Sequence, residues 1–196
     1  MARLAVFVDG GYVAALCNRQ FRQLRVRPDI EKLSGRVRQV VGGATPEPVD
    51  VVRAYYYTCS PFQHDPPTAD DRNRTAGYRR FVESLTHLPR FQVREGHLRF
   101  DGFREDGRPI FTQKQVDLLL GLDAALMAGR QVVTHIALIA GDGDFVPVID
   151  VVKREGVSVW LVHGPRSTYA YDLWLAADER HEIDDAFMRD IARASR

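Results

Sequence analysis

Cysteine is scarce in this chain of 196 residues: Cys17 and Cys59 are its whole complement. Two thiols support neither a disulfide framework nor a four-ligand zinc site. Both lie in segments that read as buried, so the expected setting is reduced and cytoplasmic. Long apolar runs are missing too. No stretch approaches the roughly 18 consecutive apolar residues of a membrane helix, and the short run in MARLAVFVDGG, which Asp9 ends, is too brief for a signal-peptide core. Two familiar phosphate-binding loops are also absent. Neither Gly10-Gly11 nor GDGD fits G-x-G-x-x-G after a strand, and G-x-x-x-x-G-K-S/T does not occur. No spacing suggests a Ser–His or Cys–His nucleophile.

What the chain has is an ordinary globular balance, 45% hydrophobic and 27% charged, long enough for one domain with a substantial core. Its net charge of +1 hides an asymmetry. Residues 1–108 carry 18 Lys and Arg against 13 Asp and Glu, whereas residues 109–196 carry 9 against 13. The basic half includes Arg19, Arg22, Arg25 and Arg27, then Arg72, Arg74, Arg79 and Arg80. Such charge suits steering of a phosphodiester substrate, although a general preference for Arg over Lys would look the same.

Apolar runs of strand length alternate with segments of helical period. Leu4–Val8, Val49–Tyr57, Phe91–Arg94, Ile136–Ala140 and Val157–Val162 read as strands. Helices are expected over Tyr12–Leu24, Ile30–Val41, from Asp70 or Asp71 to Pro89, and over Gln113–Ala128, Phe145–Arg154 and Tyr169–Ala177. Leu98–Phe103 and Ile110–Thr112, joined by Glu105-Asp106-Gly107, suggest a small hairpin. The expectation is an α/β fold with a largely parallel central sheet flanked by helices and a β-hairpin insertion. One domain would span 1–180, with a polar, partly helical extension over 181–196.

Four aspartates fall where such a fold can gather them: Asp9 after the first strand, Asp117 early in a helix, and Asp142 with Asp144 after the 136–140 strand. Carboxylates at the carboxyl ends of buried strands face the crevice where open α/β sheets bind ligands. Grouped there they repel one another unless a cation neutralises them. Hard oxygens without nearby His or Cys point to Mg²⁺ or Mn²⁺. Each residue has a structural alternative. Asp9 can cap the next helix, and Asp117 can pair with Lys114. Pro147 makes Asp144 a candidate helix cap, so Asp142 is the better metal ligand, with Asp144 left to cap, to bind the metal or to hold a coordinated water. Asp123, about 120° around the helix from Asp117, reads as supporting the site or as purely structural. Gly10 and Gly11 clear room beside Asp9. Arg166, Ser167 and Thr168, following His163, make a candidate phosphate loop or an ordinary loop with a Ser or Thr cap.

VFVDGG, the tyrosines 55–57, KQVDLLLGLD and LIAGDGDFVPVIDVVKREGVSVWLV occur together in an order that resembles the NYN domain family, in particular its LabA-like members, a branch of the PIN-like nucleases. The likeness covers most of residues 3–178. It implies a Rossmann-like PIN fold and divalent-metal ribonuclease activity on RNA, single-stranded by preference. By position, the acidic set would be Asp9, Asp117, Asp142 and Asp144, with Asp123 behind them. Two residues depart from the family pattern: Tyr12 stands where D-G-x-N has Asn, and Gln115 replaces a frequent glycine. The Tyr12 departure supports an alternative, a catalytically inactive RNA-binding or regulatory module. A haloacid-dehalogenase-like phosphatase ranks lower, because no second aspartate stands two residues after Asp9. The tyrosine-rich 55–62 region would be available for base stacking. Homo-oligomerisation is left open, and no membrane association is expected.

Overall fold

Leu4, Val6 and Val8 point to one side of the first strand and Ala5 and Phe7 to the other; all five are buried. A strand apolar on both faces belongs in the middle of a sheet covered on both sides, and that is where it lies. The computed structural model describes residues 1–103 and 109–193, with backbone alone for 98–101, 103 and 109–114. Strands β1 (Ala2–Asp9), β2 (Val49–Cys59), β3 (Phe91–Phe103), β5 (His135–Ile139), β6 (Ser158–His163) and β7 (Glu179–Glu182) run parallel, and β4 (Pro109–Lys114) pairs antiparallel with β3. The order is β4-β3-β2-β1-β5-β6-β7. Apart from the hairpin strand this is the doubly wound arrangement, and the order reverses between β1 and β5. The turn Glu105-Asp106-Gly107 lies outside the described residues.

Helices α2 (Ile30–Ala44), α3 (Ala69–Thr86) and α7 (Asp185–Asp190) cover the face carrying Leu4, Val6 and Val8. Ile30, Leu33, Val37 and Val41 form the buried stripe of α2, whose N-terminus Asp29 caps through the Lys32 N–H. Helices α4 (Val116–Gly129), α5 (Val146–Arg154) and α6 (Tyr171–Ala176) cover the other face. There Phe7, Tyr55 and Tyr57 stack with centroids 5.2 to 6.3 Å apart. Tyr55, Tyr56 and Tyr57 are all buried, so these three rings pack the core and do not offer themselves to bases.

Several boundaries differ from expectation, each for a local reason. The helix expected over Tyr12–Leu24 is α1 (Gly10–Ala15), then a π turn over Leu16–Gln20 and a 3-10 turn over Arg22–Leu24. The wider π turn lets Leu16 and Phe21, five residues apart, both reach the core. Helix α3 is capped by Thr68; Asp71 is its capping-box partner three residues on, and Asp70 takes no part in the cap. The part of the expected 181–196 extension that is described, 181–193, packs its apolar residues into the same core. Strand β7 extends the sheet, and Ile183, Phe187, Met188 and Ile191 are buried. Its strand sequence, Glu-Arg-His-Glu, has no apolar pattern; edge pairing with β6 alone makes it a strand.

Gln115 precedes α4 with φ 73° and ψ −10°, a left-handed conformation that explains why glycine suits this position. Replacing Gln115→Gly is expected to raise stability by about 1 kcal/mol, a gain of a few degrees in Tm. Thermal unfolding of both proteins checks it; an unchanged or lower Tm contradicts the strain.

Candidate metal centre at the sheet switch point

Because β1 and β5 are neighbours, Asp9 at the end of β1 and Asp142 just beyond β5 open onto one crevice. The first turn of α4 brings Asp117 to it. Asp9 and Asp142 both cap as well as face the crevice. Asp9 Oδ1 accepts the Tyr12 N–H at 3.1 Å, and Asp142 Oδ1 accepts the Asp144 N–H at 3.0 Å. The expected cap, Asp144, does not cap: it sits inside the 3-10 turn Gly143–Phe145 that Asp142 opens. Pro147 lies in the first turn of α5, where its missing N–H costs nothing.

The electrostatics tie these groups together. Burial pushes the Asp9 carboxyl up to about 6, and the charges of Asp117 and Asp142 add to the rise against hydrogen bonds from Tyr12 and Gly11. Asp117 is exposed as a residue, yet its carboxyl is also raised, first by partial burial and then by Asp142 and Asp144. Among the described residues, none of Asp9, Asp117, Asp142 and Asp144 forms an ion pair with Lys, Arg or His, whereas Asp50, Asp71, Asp123 and Asp178 each do. The Lys114 side chain, the alternative partner of Asp117, lies outside the described side chains. Asp123 belongs to a different contact. It accepts two bonds from Arg94, at 2.9 and 3.1 Å, and one from the Tyr57 hydroxyl at 2.9 Å. Arg94 was not singled out by sequence, and no local pattern marks it.

A hard divalent cation fits this donor set in kind. Among the described residues no three acidic, His or Cys side chains stand close enough to enclose an ion by themselves. A small hard cation that keeps several waters needs only one or two protein carboxylates, so the crevice can hold one with water completing the shell.

The wall opposite Asp9 is held by Tyr12. The Thr168 hydroxyl donates to the Pro165 carbonyl at 2.8 Å, so the Tyr12 hydroxyl donates to Thr168 at 3.0 Å while accepting the Gly164 N–H at 2.8 Å. Burial raises the Tyr12 hydroxyl above its ordinary range, which keeps its proton on. Gly141 passes beneath: a Cβ there would meet the Tyr12 ring at 2.5 Å. Gly10 is required in the same way, since a Cβ would come within 2.7 Å of the Tyr56 ring. The space beside it is therefore filled by protein; Gly11 is half-buried. Neither Ser167 nor Thr168 caps α6, which starts after Ala170 without a side-chain cap. Ser167 and Arg166 are exposed, and the Arg166 guanidinium lies 5.2 Å from the Tyr169 ring and 5.1 Å from the Tyr171 ring.

Fold and crevice together define a Rossmann-like α/β protein with an acidic site at its switch point. The sequence model of the NYN domain matches residues 3–184, and the chain belongs to that family, within the PIN-like nuclease superfamily. No curated protein matches the chain. The crystal structure of a protein of unknown function, VPA0982 from Vibrio parahaemolyticus RIMD 2210633, has the same fold, with a TM-score of 0.63 and 24% sequence identity. That likeness covers 98% of this chain and 96% of the other. No helix among the described residues is long and apolar enough to cross a membrane.

Two expectations follow. Asp9 has a raised folded pKa, so the folded state holds a proton that the unfolded chain releases near pH 4. Stability therefore falls as pH rises from about 4 to about 6 and is level above. Asp9→Asn keeps the cap and removes the buried charge. It should stabilise the metal-free protein by up to about 3 kcal/mol above pH 6, with the gain gone below pH 4. Melting curves across that range test this, and a gain independent of pH contradicts it. Tyr12→Phe leaves the Gly164 N–H unpaired and should cost about 1–3 kcal/mol in denaturant unfolding.

Proposed function

We propose that the protein is a ribonuclease, dependent on Mg²⁺ or Mn²⁺, that cuts phosphodiester bonds within single-stranded RNA. The observation that carries this is the set of four crevice aspartates that have no basic partner among the described residues, in a family of PIN-like nucleases. Of Asp9, Asp117 and Asp142, one or two would bind the cation directly and the rest through its coordinated waters. The bound ion would lower the pKa of a water and offset charge gathering on the phosphate during an in-line displacement. Asp144, beside Asp142 and without a capping duty, orients the attacking water. Asp9 and Asp142 are each fixed by a backbone N–H, so their carboxylates arrive pre-oriented. Arg166, exposed and near the Tyr169 and Tyr171 rings, would meet a phosphate with Ser167 beside it. Thr168 serves mainly through its bond to Tyr12, and Asp123 acts at most by fixing α4 against β2 and β3.

A second reading, an RNA-binding or regulatory module without catalysis, has one observation in its favour. Tyr12 occupies the place of the family Asn and spends the one proton of its hydroxyl on Thr168 while accepting from Gly164, so it has no donor left for a phosphate.

One assay separates the readings. Labelled single-stranded RNA is incubated with the protein in Mn²⁺ or in EDTA, beside Asp142→Asn, which preserves the cap. The ribonuclease cuts in Mn²⁺ only, and the variant loses at least about 100-fold in rate, the equivalent of a few kcal/mol. RNA retained but uncut under every condition would establish the second reading.

A further inference from the structure

Away from the acidic crevice, an open cavity of about 940 Å³ lies between the start of α2, the middle of α3 and the chain after α7. Four arginines line it, Arg25, Arg27, Arg80 and Arg193, against two carboxylates, Asp29 and Glu31. One oxygen of Asp29 is already taken by the Lys32 N–H. The wall is therefore positive on balance. Among the described residues, Arg25, Arg27 and Arg80 form no ion pair and are exposed, whereas Arg36, Arg74 and Arg90 have carboxylate partners. Arg193 is fixed in place: its Nε donates to the Pro28 carbonyl at 3.2 Å, and its guanidinium lies 5.5 Å from the Phe81 ring.

We infer that this cavity binds the phosphate backbone of the RNA at a position remote from the cut, an inference that rests on the RNA reading above. Four guanidinium groups against two carboxylates repel one another on balance, and a phosphodiester chain relieves that cost while accepting up to two bonds from each. The cavity is open to solvent, which suits a strand passing through more than an enclosed small anion. It is also joined to the acidic crevice by covalent chain. The segment that leaves Asp9 through α1 carries Arg19 and Arg22, both exposed and without ion pairs among the described residues, before it delivers Arg25 and Arg27 to the cavity wall. Exposed arginines thus follow one another along the chain from the end of α1 to the cavity wall. Phe81 packs against Tyr56 and Arg193, so the contact is to phosphate and not to bases.

The test uses Asp142→Asn protein in EDTA, so that binding is read without cutting. Anisotropy of a labelled 20-nucleotide RNA is followed across a KCl series. Arg25→Ala with Arg80→Ala should weaken binding about tenfold and flatten the slope of log affinity on log salt by about 1.4, two phosphate contacts at 0.7 each. Arg25→Lys with Arg80→Lys should retain most of the slope. Arg130→Ala with Arg154→Ala, the same loss of charge on the opposite helical layer, should change neither quantity appreciably. An unchanged slope in the first pair, or equal losses in the first and third, overturns the inference. In the otherwise wild-type protein with Mn²⁺, cleavage of long RNA unaffected by the first pair would remove the cavity and leave the nuclease standing. Absence of cleavage with the binding pattern intact would do the reverse.

Discussion

Negative charge held together with no positive partner among the described residues organises this protein. Four aspartates share a crevice where β1 and β5 separate, and burial plus mutual repulsion already lifts Asp9 and Asp117. The fold tolerates the cost because each carboxylate is placed by an element with other work to do. Asp9 and Asp142 close helical turns, and Asp117 rides in on the first turn of an otherwise apolar helix. Crowding raises the cost of ionising Asp9 and Asp117, and the divalent cation proposed for this crevice would relieve it.

Around that crevice two locks set its walls. On one side Tyr12 joins α1 to the loop after β6, passing over Gly141 so closely that no side chain fits there. On the other, Asp123 clamps α4 to β2 and β3 through Tyr57 and Arg94. The two locks use the same residue types as the site itself, a carboxylate and a tyrosine, yet their partners are saturated. Partner saturation, not residue type, separates structural from functional polar groups here.

The same criterion divides the arginines. Arg36, Arg74, Arg90 and Arg94 are spent on carboxylates, whereas among the described residues Arg19, Arg22, Arg25, Arg27 and Arg80 are not. The molecule therefore has an acidic crevice and a basic face linked by one segment of chain, a polarity that its net charge of +1 conceals.

Much of this was legible from the chain alone. Strands apolar on both faces announced a parallel sheet, and helical spacing placed α2, α4 and α5 within a few residues, because burial imposes those periods directly. The four aspartates could be named because each ends an apolar run or opens a helix. Other features had no linear signature. Strand β7 is polar throughout and is a strand only because β6 offers an edge. The capping duty at the 142–144 turn depended on backbone angles, and the tyrosines at 55–57 look equally suited to a surface or a core. Arg94 meets Asp123 across 29 positions. Tyr12 meets Thr168 across 156. Sequence thus determined which segments must be buried and which groups carry charge, since those are local properties of side chains. Only the tertiary structure decided which charges are neutralised, because pairing is a matter of proximity between residues that the chain keeps far apart.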